Sequence, residues 1–163
     1  MTTAPHAPPR SAAEQARLDE MIVDLFERRI TFNEVLGLKV ESLRPGPPRL
    51  RFDMRAPLVG HYLYGRLHGG VTSAVLDATG GFALMVAIGD KHPSESAEQV
   101  MHRFAKMGTI DLRVDFLRPG IGSHFVATAE VTRLGGRVGS TQMKLVNDGG
   151  TLVATAAAAY MIS

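Results

Sequence analysis

Cysteine is missing from all 163 residues. Disulfides, thiolate metal sites and cysteine nucleophiles are therefore excluded together. The absence suits a reducing compartment, and we place the protein in the cytoplasm on that basis. Charge of one sign is also scarce. The net charge is only +2, and no run of Lys and Arg builds a basic stripe, so nucleic acid is not an expected partner. Met1 to Arg10 offers Pro and Ala but no cationic start followed by an apolar stretch, and it reads as a disordered tail, not a secretory signal. No apolar run suits membrane insertion. The longest, Gly69 to Ile88, is broken by Asp77 and by glycines and reads as a core helix. A paired-histidine helix motif is lacking too, and His61, His68 and Asp77 do not have ligand spacing, so no metal is expected.

What remains describes one domain. Hydrophobic residues make up 45% and charged residues 21%, which is ordinary for a globular chain able to bury a core. Ser11 and Glu14 form a capping-box pattern ahead of Leu18, Met21, Ile22, Leu25 and Phe26 at helical spacing, which predicts an amphipathic helix over 12–30. The N-terminal helical unit is set at 11–32 and the main domain at 33–163. Extended chain is expected from Val35 to Arg44 and from Arg49 to Arg55, separated by the turn Pro45-Gly46-Pro47-Pro48. Pro57 to Leu67 reads as a loop.

Gly69 to Ile88 is apolar on nearly every side, the pattern of a helix buried in the middle of something. Gly89, Asp90 and Pro93 end it. A polar connection over 90–108 follows, with a short helix through Ala97 to Lys106. Four strand-like stretches come next: Thr109–Leu117, His124–Leu134, Val138–Asn147 and Leu152–Met161. Ile110, Leu112, Val114 and Phe116 alternate with polar residues, and the short Gly-rich separators predict an antiparallel meander. One buried helix needs a sheet curved around it, and about six strands are available.

Asp77 stands in the middle of the apolar helix, where an unpartnered carboxylate costs several kcal/mol. Two readings stand. It is a general base or nucleophile tuned by its surroundings, or a structural acid paired to a strand, for example to Arg113. His68-Gly69-Gly70 opens the same helix with free backbone N–H groups and the positive end of the helix dipole, donors that suit an oxygen gaining charge. Gly70 and Asp77 lie seven residues apart, about 10 Å along the axis, too far to meet at one carbonyl carbon. If both act together, two antiparallel copies of the helix must lie side by side across a two-fold axis. The pair implies a homodimer with two shared sites, and dimers of dimers stay open.

His68-Gly69-Gly70 followed by Leu76-Asp77 resembles the signature of the PaaI/YigI-like hotdog thioesterases. Thr109 to Gly120 is similar to the strand that follows in that family, and so are the turns at Arg133 to Arg137 and Asp148 to Ala154. The likeness covers residues 33–162. It implies an α+β hotdog fold, a curved antiparallel sheet around a long central helix with an extra helix in front. It also implies hydrolysis of acyl-CoA or aryl-CoA thioesters, with coenzyme A as part of the substrate and no cofactor.

By position in that family, Asp77 is the catalytic carboxylate. Gly70, with Gly69, supplies the oxyanion donor, and His68 supports the site. Thr109 falls where some members carry a Ser, contributed by the neighbouring subunit, that positions water. His61 or Tyr62 stands where members often carry an Asn, and His61 is either its substitute or a plain loop residue. Arg118, Arg133, Arg137 and Lys144 are candidates for phosphates of the coenzyme. Phe82 and Met85, with Tyr62 and Tyr64, are candidates for the acyl pocket. Two rivals are an acyl-thioester dehydratase or hydratase of the same fold and a non-catalytic acyl-CoA-binding protein. The second would be marked by loss of the helix carboxylate.

Overall fold

The computed structural model describes residues 8–163. The expected tail therefore lies mostly outside the described residues, but its last residue is tied down. The Arg10 guanidinium donates to the carbonyls of Gly89, His92 and Glu95 at 2.6, 2.6 and 2.9 Å. Helix α1, Ala12–Asp24, starts where expected, with Ser11 Oγ accepting from Glu14 N at 3.2 Å. The other half of the box does not form. Glu14 Oε1 instead accepts from Ala97 N at 2.7 Å, fastening α1 to helix α4, Ala97–Arg103. The reciprocal box belongs to α4, where Ser96 and Gln99 exchange bonds.

The first departure follows. The expected helix does not run straight on to residue 30 but widens into one π-helical turn, Leu25–Arg29, and a second short helix, α2, spans Thr31–Leu36. The extended reading from Val35 is thus wrong over its first residues. Gly37 closes α2 in a left-handed conformation (φ 72°), which suits a residue without Cβ. Strand β1 covers Lys39–Ser42 and β2 covers Arg49–Asp53. The loop before the central helix folds into a small hairpin of β3, Val59–His61, and β4, Arg66–Leu67.

Helix α3 runs Gly69–Lys91, slightly beyond the Gly89-Asp90 stop. Strands β5, Gly108–Phe116, β6, His124–Leu134, β7, Val138–Asn147, and β8, Leu152–Met161, follow the expected bounds closely. The six-stranded sheet has the order β1-β2-β6-β7-β8-β5, all antiparallel. Only β6-β7-β8 is a meander. β5 crosses to the far edge and pairs with β8, which corrects the expectation that all four consecutive strands pair in order.

Alternate residues of these strands point at α3. Phe52 and Phe125 pair across β2 and β6 with rings stacked at 5.2 Å, and Met143 and Leu145 of β7 are buried beside them. Val75, Leu76, Phe82 and Leu84 of α3 fill the concave side of the sheet, and all four are fully buried. Gly80 has no room for a side chain. A Cβ there would sit 2.8 Å from Thr141 Oγ1 and 3.0 Å from Tyr160 Cζ, and closer still to the Tyr160 hydroxyl. The helix is long and apolar enough to cross a bilayer, yet most of it is buried inside the protein. This is the α+β hotdog arrangement.

Candidate active site

α3 is not covered all round. Val75, Leu76, Thr79 and Phe82 are buried, while Ala74, Asp77, Ala78 and Gly81 form a partly open stripe. Asp77 is therefore half-buried at a cavity wall, not sealed in mid-core. The stripe's small side chains leave the space beside it. Asp77 Oδ1 accepts from Thr109 Oγ1 at 2.8 Å, and its backbone carbonyl accepts from the Tyr160 hydroxyl at 2.8 Å. The structural reading through Arg113 fails, because that guanidinium pairs with Asp115 at 3.0 Å. Thr109 reaches Asp77 within one chain, so this contact needs no neighbouring subunit. Burial, and then the Asp77 charge, push the Tyr160 phenol well above its usual range, so it remains a protonated donor.

Asp77 lines a cavity of about 280 Å³. Ala74, Ala78, Gly81 and Met85 of α3 form one wall. Phe26, Ile30, Phe32 and Asn33, from the π-turn through α2, form the wall opposite, and Met107, Gly108, Thr109 and Tyr160 close a third side. The N-terminal helical segment thus builds the cavity. No sequence pattern showed the role of Asn33 in that wall. Its side chain is buried and donates from Nδ2 to Phe26 O at 3.1 Å, tying the π-turn to α2.

Of the expected pocket residues only Met85 lines the cavity. Phe82 faces the core instead, packed on Phe26 at 4.8 Å between centroids. Tyr62 and Tyr64 stand exposed on the β3–β4 hairpin, where His61 lies 6.0 and 4.9 Å from their rings, and none of the three reaches the cavity in one chain.

His68 caps α3. Its Nδ1 accepts from Gly70 N at 2.9 Å. The amide assigned to the substrate oxygen is therefore held by the residue expected only to support the site. Thr72 N makes the first helical bond, to His68 O at 3.1 Å, so Gly69 and Val71 N–H have no acceptor within the helix. A second recess, of about 380 Å³, opens at this helix start between Gly69, Thr72, Arg66 and Arg118. Arg118 donates to Leu152 O at 3.1 Å, and Arg66 Nε is buried with no partner. Arg66 was not among the sequence candidates. Arg133 and Arg137 are exposed at the other end of the molecule. Lys91 Nζ meets Gly135 O at 3.4 Å there, and α3 separates them from Gly70 by about 30 Å. Lys144 lies exposed in mid-β7, away from both recesses. Among the described residues, no three His, Asp or Glu converge to hold a metal ion.

Comparison with known proteins bears on the family and the fold. Residues 64–154, which include the α3 signature and β5 to β7, match the family model of the thioesterase superfamily. Medium/long-chain acyl-CoA thioesterase YigI from Salmonella typhimurium and from Escherichia coli K12 are each 35% identical over 150 residues, covering 92% of this chain and 96% of theirs. Among solved structures, a Shewanella oneidensis protein related to the thioesterase superfamily superposes with a TM-score of 0.86 at 33% identity, covering 94% of this chain and 100% of its own. A thioesterase family protein from Silicibacter pomeroyi gives 0.67 at 25% identity over 88% and 96%. With the fold, the helix carboxylate and its cavity in place, the chain belongs to the thioesterase superfamily.

Proposed function

We propose that this protein hydrolyses acyl-CoA thioesters to the free acid and coenzyme A, with Asp77 as the reacting carboxylate. The observation that carries this reading is the placement of Asp77. It is a half-buried acid held by Thr109 at 2.8 Å on the wall of a cavity otherwise lined mostly by apolar groups. An acyl tail in that cavity brings its carbonyl carbon to the carboxylate. As general base, Asp77 takes a proton from water while the oxygen of that water attacks the carbonyl. The C–S bond then breaks, and the thiolate leaves and collects the proton. As nucleophile, the carboxylate attacks directly, the thiolate departs, and water opens the resulting anhydride. The Thr109 hydroxyl orients the carboxylate in both cases.

The developing oxyanion meets the start of α3 in a second copy of the chain, where Gly69, Gly70 and Val71 N–H gather. Gly70 becomes available when the His68 ring gives up its cap, so His68 holds the carbonyl's place until substrate arrives. The homodimer is supported by β5. It is one of the sheet's two outer strands, with one backbone edge unpaired among the described residues, and Ile110 and Phe116 on it are 57% and 58% exposed in one chain. Phe116 also touches the space next to Gly69, so pairing at this edge draws the helix start toward the partner. Arg66 and Arg118 beside that start are placed for the phosphates of the coenzyme. The medium and long acyl chains named for the YigI relatives suit the apolar cavity.

The test is thiol release from a series of acyl-CoAs and one aryl-CoA by the purified protein. Hydrolysis with a preference for aliphatic chains supports the proposal. Binding without turnover would favour a carrier, and hydration of a 2-enoyl-CoA without thiol release would favour a hydratase.

A further inference from the structure

Two neighbouring glycines in α3 have different reasons to be glycine. Gly80 is explained by packing, since any Cβ collides with Tyr160 and Thr141. Gly81 is not. A Cβ there would find Tyr160 Cε1 at 3.9 Å, ordinary contact distance, and among the described residues outside the helix's own neighbouring backbone nothing nearer. A mid-helix glycine lowers helix stability relative to alanine, so its presence without a packing cause points to the space it leaves open. That space is the cavity beside Asp77.

On α3 the cavity-lining stripe runs Ala74, Asp77, Ala78, Gly81 and stops at Met85, which is only 8% exposed. The helical rise puts Gly81 about 6 Å and Met85 about 12 Å beyond Asp77 along the axis. A fully extended carbon chain advances roughly 1.25 Å per carbon, from a bond of about 1.5 Å at a near-tetrahedral angle. Five carbons reach Gly81, and about ten reach Met85.

Resting on the thioesterase reading above, we propose that Gly81 and Met85 set the acyl-chain length, Gly81 as the gap the chain passes and Met85 as the floor it meets. The thioether is flexible and polarisable, which makes the floor yielding.

The experiment is kcat/KM for straight-chain acyl-CoAs from four to sixteen carbons with wild type, Gly81→Ala, Gly81→Leu and Met85→Ala. Gly81→Leu is expected to lower the ratio of ten-carbon to four-carbon kcat/KM at least tenfold. That is the loss when two methylenes at about fourfold each leave the cavity. The fall should appear mainly in KM, because the tail contributes equally to ground and transition states. Met85→Ala is expected to move the optimum to longer chains. Gly81→Ala, whose methyl group finds only ordinary contact at 3.9 Å, shows the same direction as Gly81→Leu in weaker form and guards against misfolding of the larger substitution. Active variants with the wild-type length profile would overturn the proposal while leaving the thioesterase reading intact. Wild type that cleaves no thioester of any length would overturn that reading, and this one with it.

Discussion

Substituting alanine at Gly80 and at Gly81 gives opposite results in adjacent positions of one helix. At Gly80 the new methyl group meets Thr141 Oγ1 at 2.8 Å and Tyr160 Cζ at 3.0 Å, with the Tyr160 hydroxyl nearer still. Overpacking of this kind costs about 1–3 kcal/mol. Displacing the phenol also gives up its 2.8 Å bond to Asp77 O, worth about 1 kcal/mol, while the gain in helix propensity returns roughly the same. The net expectation is a loss of about 1–3 kcal/mol. At Gly81 only the propensity gain remains, about 0.8–1 kcal/mol of stabilisation. For a chain of this length each kcal/mol moves Tm by about 2–4 °C, so Gly80→Ala should melt about 2–12 °C lower and Gly81→Ala about 2–4 °C higher. The assay is calorimetry or far-UV circular dichroism at one fixed protein concentration, since association shifts Tm. Equal shifts at the two positions, or a more stable Gly80→Ala protein, would refute the packing difference and remove the reason for reading Gly81 as an opening.

Asn33→Ala leaves the Phe26 carbonyl without its donor and should cost about 1–3 kcal/mol, with weaker binding of long-chain substrates; an unchanged melting point would show that Asn33 does not hold the π-turn. The Arg103 guanidinium, which donates to Glu95 Oε2 at 2.7 Å, holds the Glu95 carboxyl below its usual range. This pairing contributes stability above the unfolded value of about 4.5 and loses it as pH falls through the lower folded value, so Glu95→Gln should lower stability near neutrality and flatten the acid limb, the two stability–pH curves converging at low pH. Mixing Asp77→Ala chains with Gly70→Pro chains should give heterodimers with one intact site, and so about half of the wild-type activity per dimer. Inactive, folded heterodimers would contradict a site shared between two chains.

Local pattern revealed the elements and nonlocal geometry decided what they do. The bounds of β6 to β8 follow from alternation and Gly-rich turns, which are properties of short windows. The pairing of β5 with β8 joins Gly108 to Met161 and Phe116 to Ala154, distant in sequence, and leaves no mark in β5 itself. Val35, 64% exposed, with Leu36 imitated the start of a strand, because a few apolar residues fit either period. The acid at Asp77 stood out by its apolar neighbours, yet its donor Thr109 is 32 residues on, and the burial expected from composition was too great because Ala74, Ala78 and Gly81 leave that side open. Asn33 was invisible for a related reason. Its partner is a carbonyl freed by a π-turn, which no periodicity announces. Arg133 and Arg137 were grouped with Arg118 by charge alone, and the length of α3 separates them.

Asp77→Asn keeps the size of the side chain and its bond from Thr109 while removing the basic, nucleophilic oxygen pair. Thiol release from a ten-carbon acyl-CoA by this variant, with substrate affinity followed by calorimetry in parallel, bears most directly on the role of the helix carboxylate. A fall in kcat of at least about a hundredfold with affinity kept within a few-fold is expected. Turnover near the wild-type rate would mean that another group attacks the thioester and that the acid in the cavity wall is only structural.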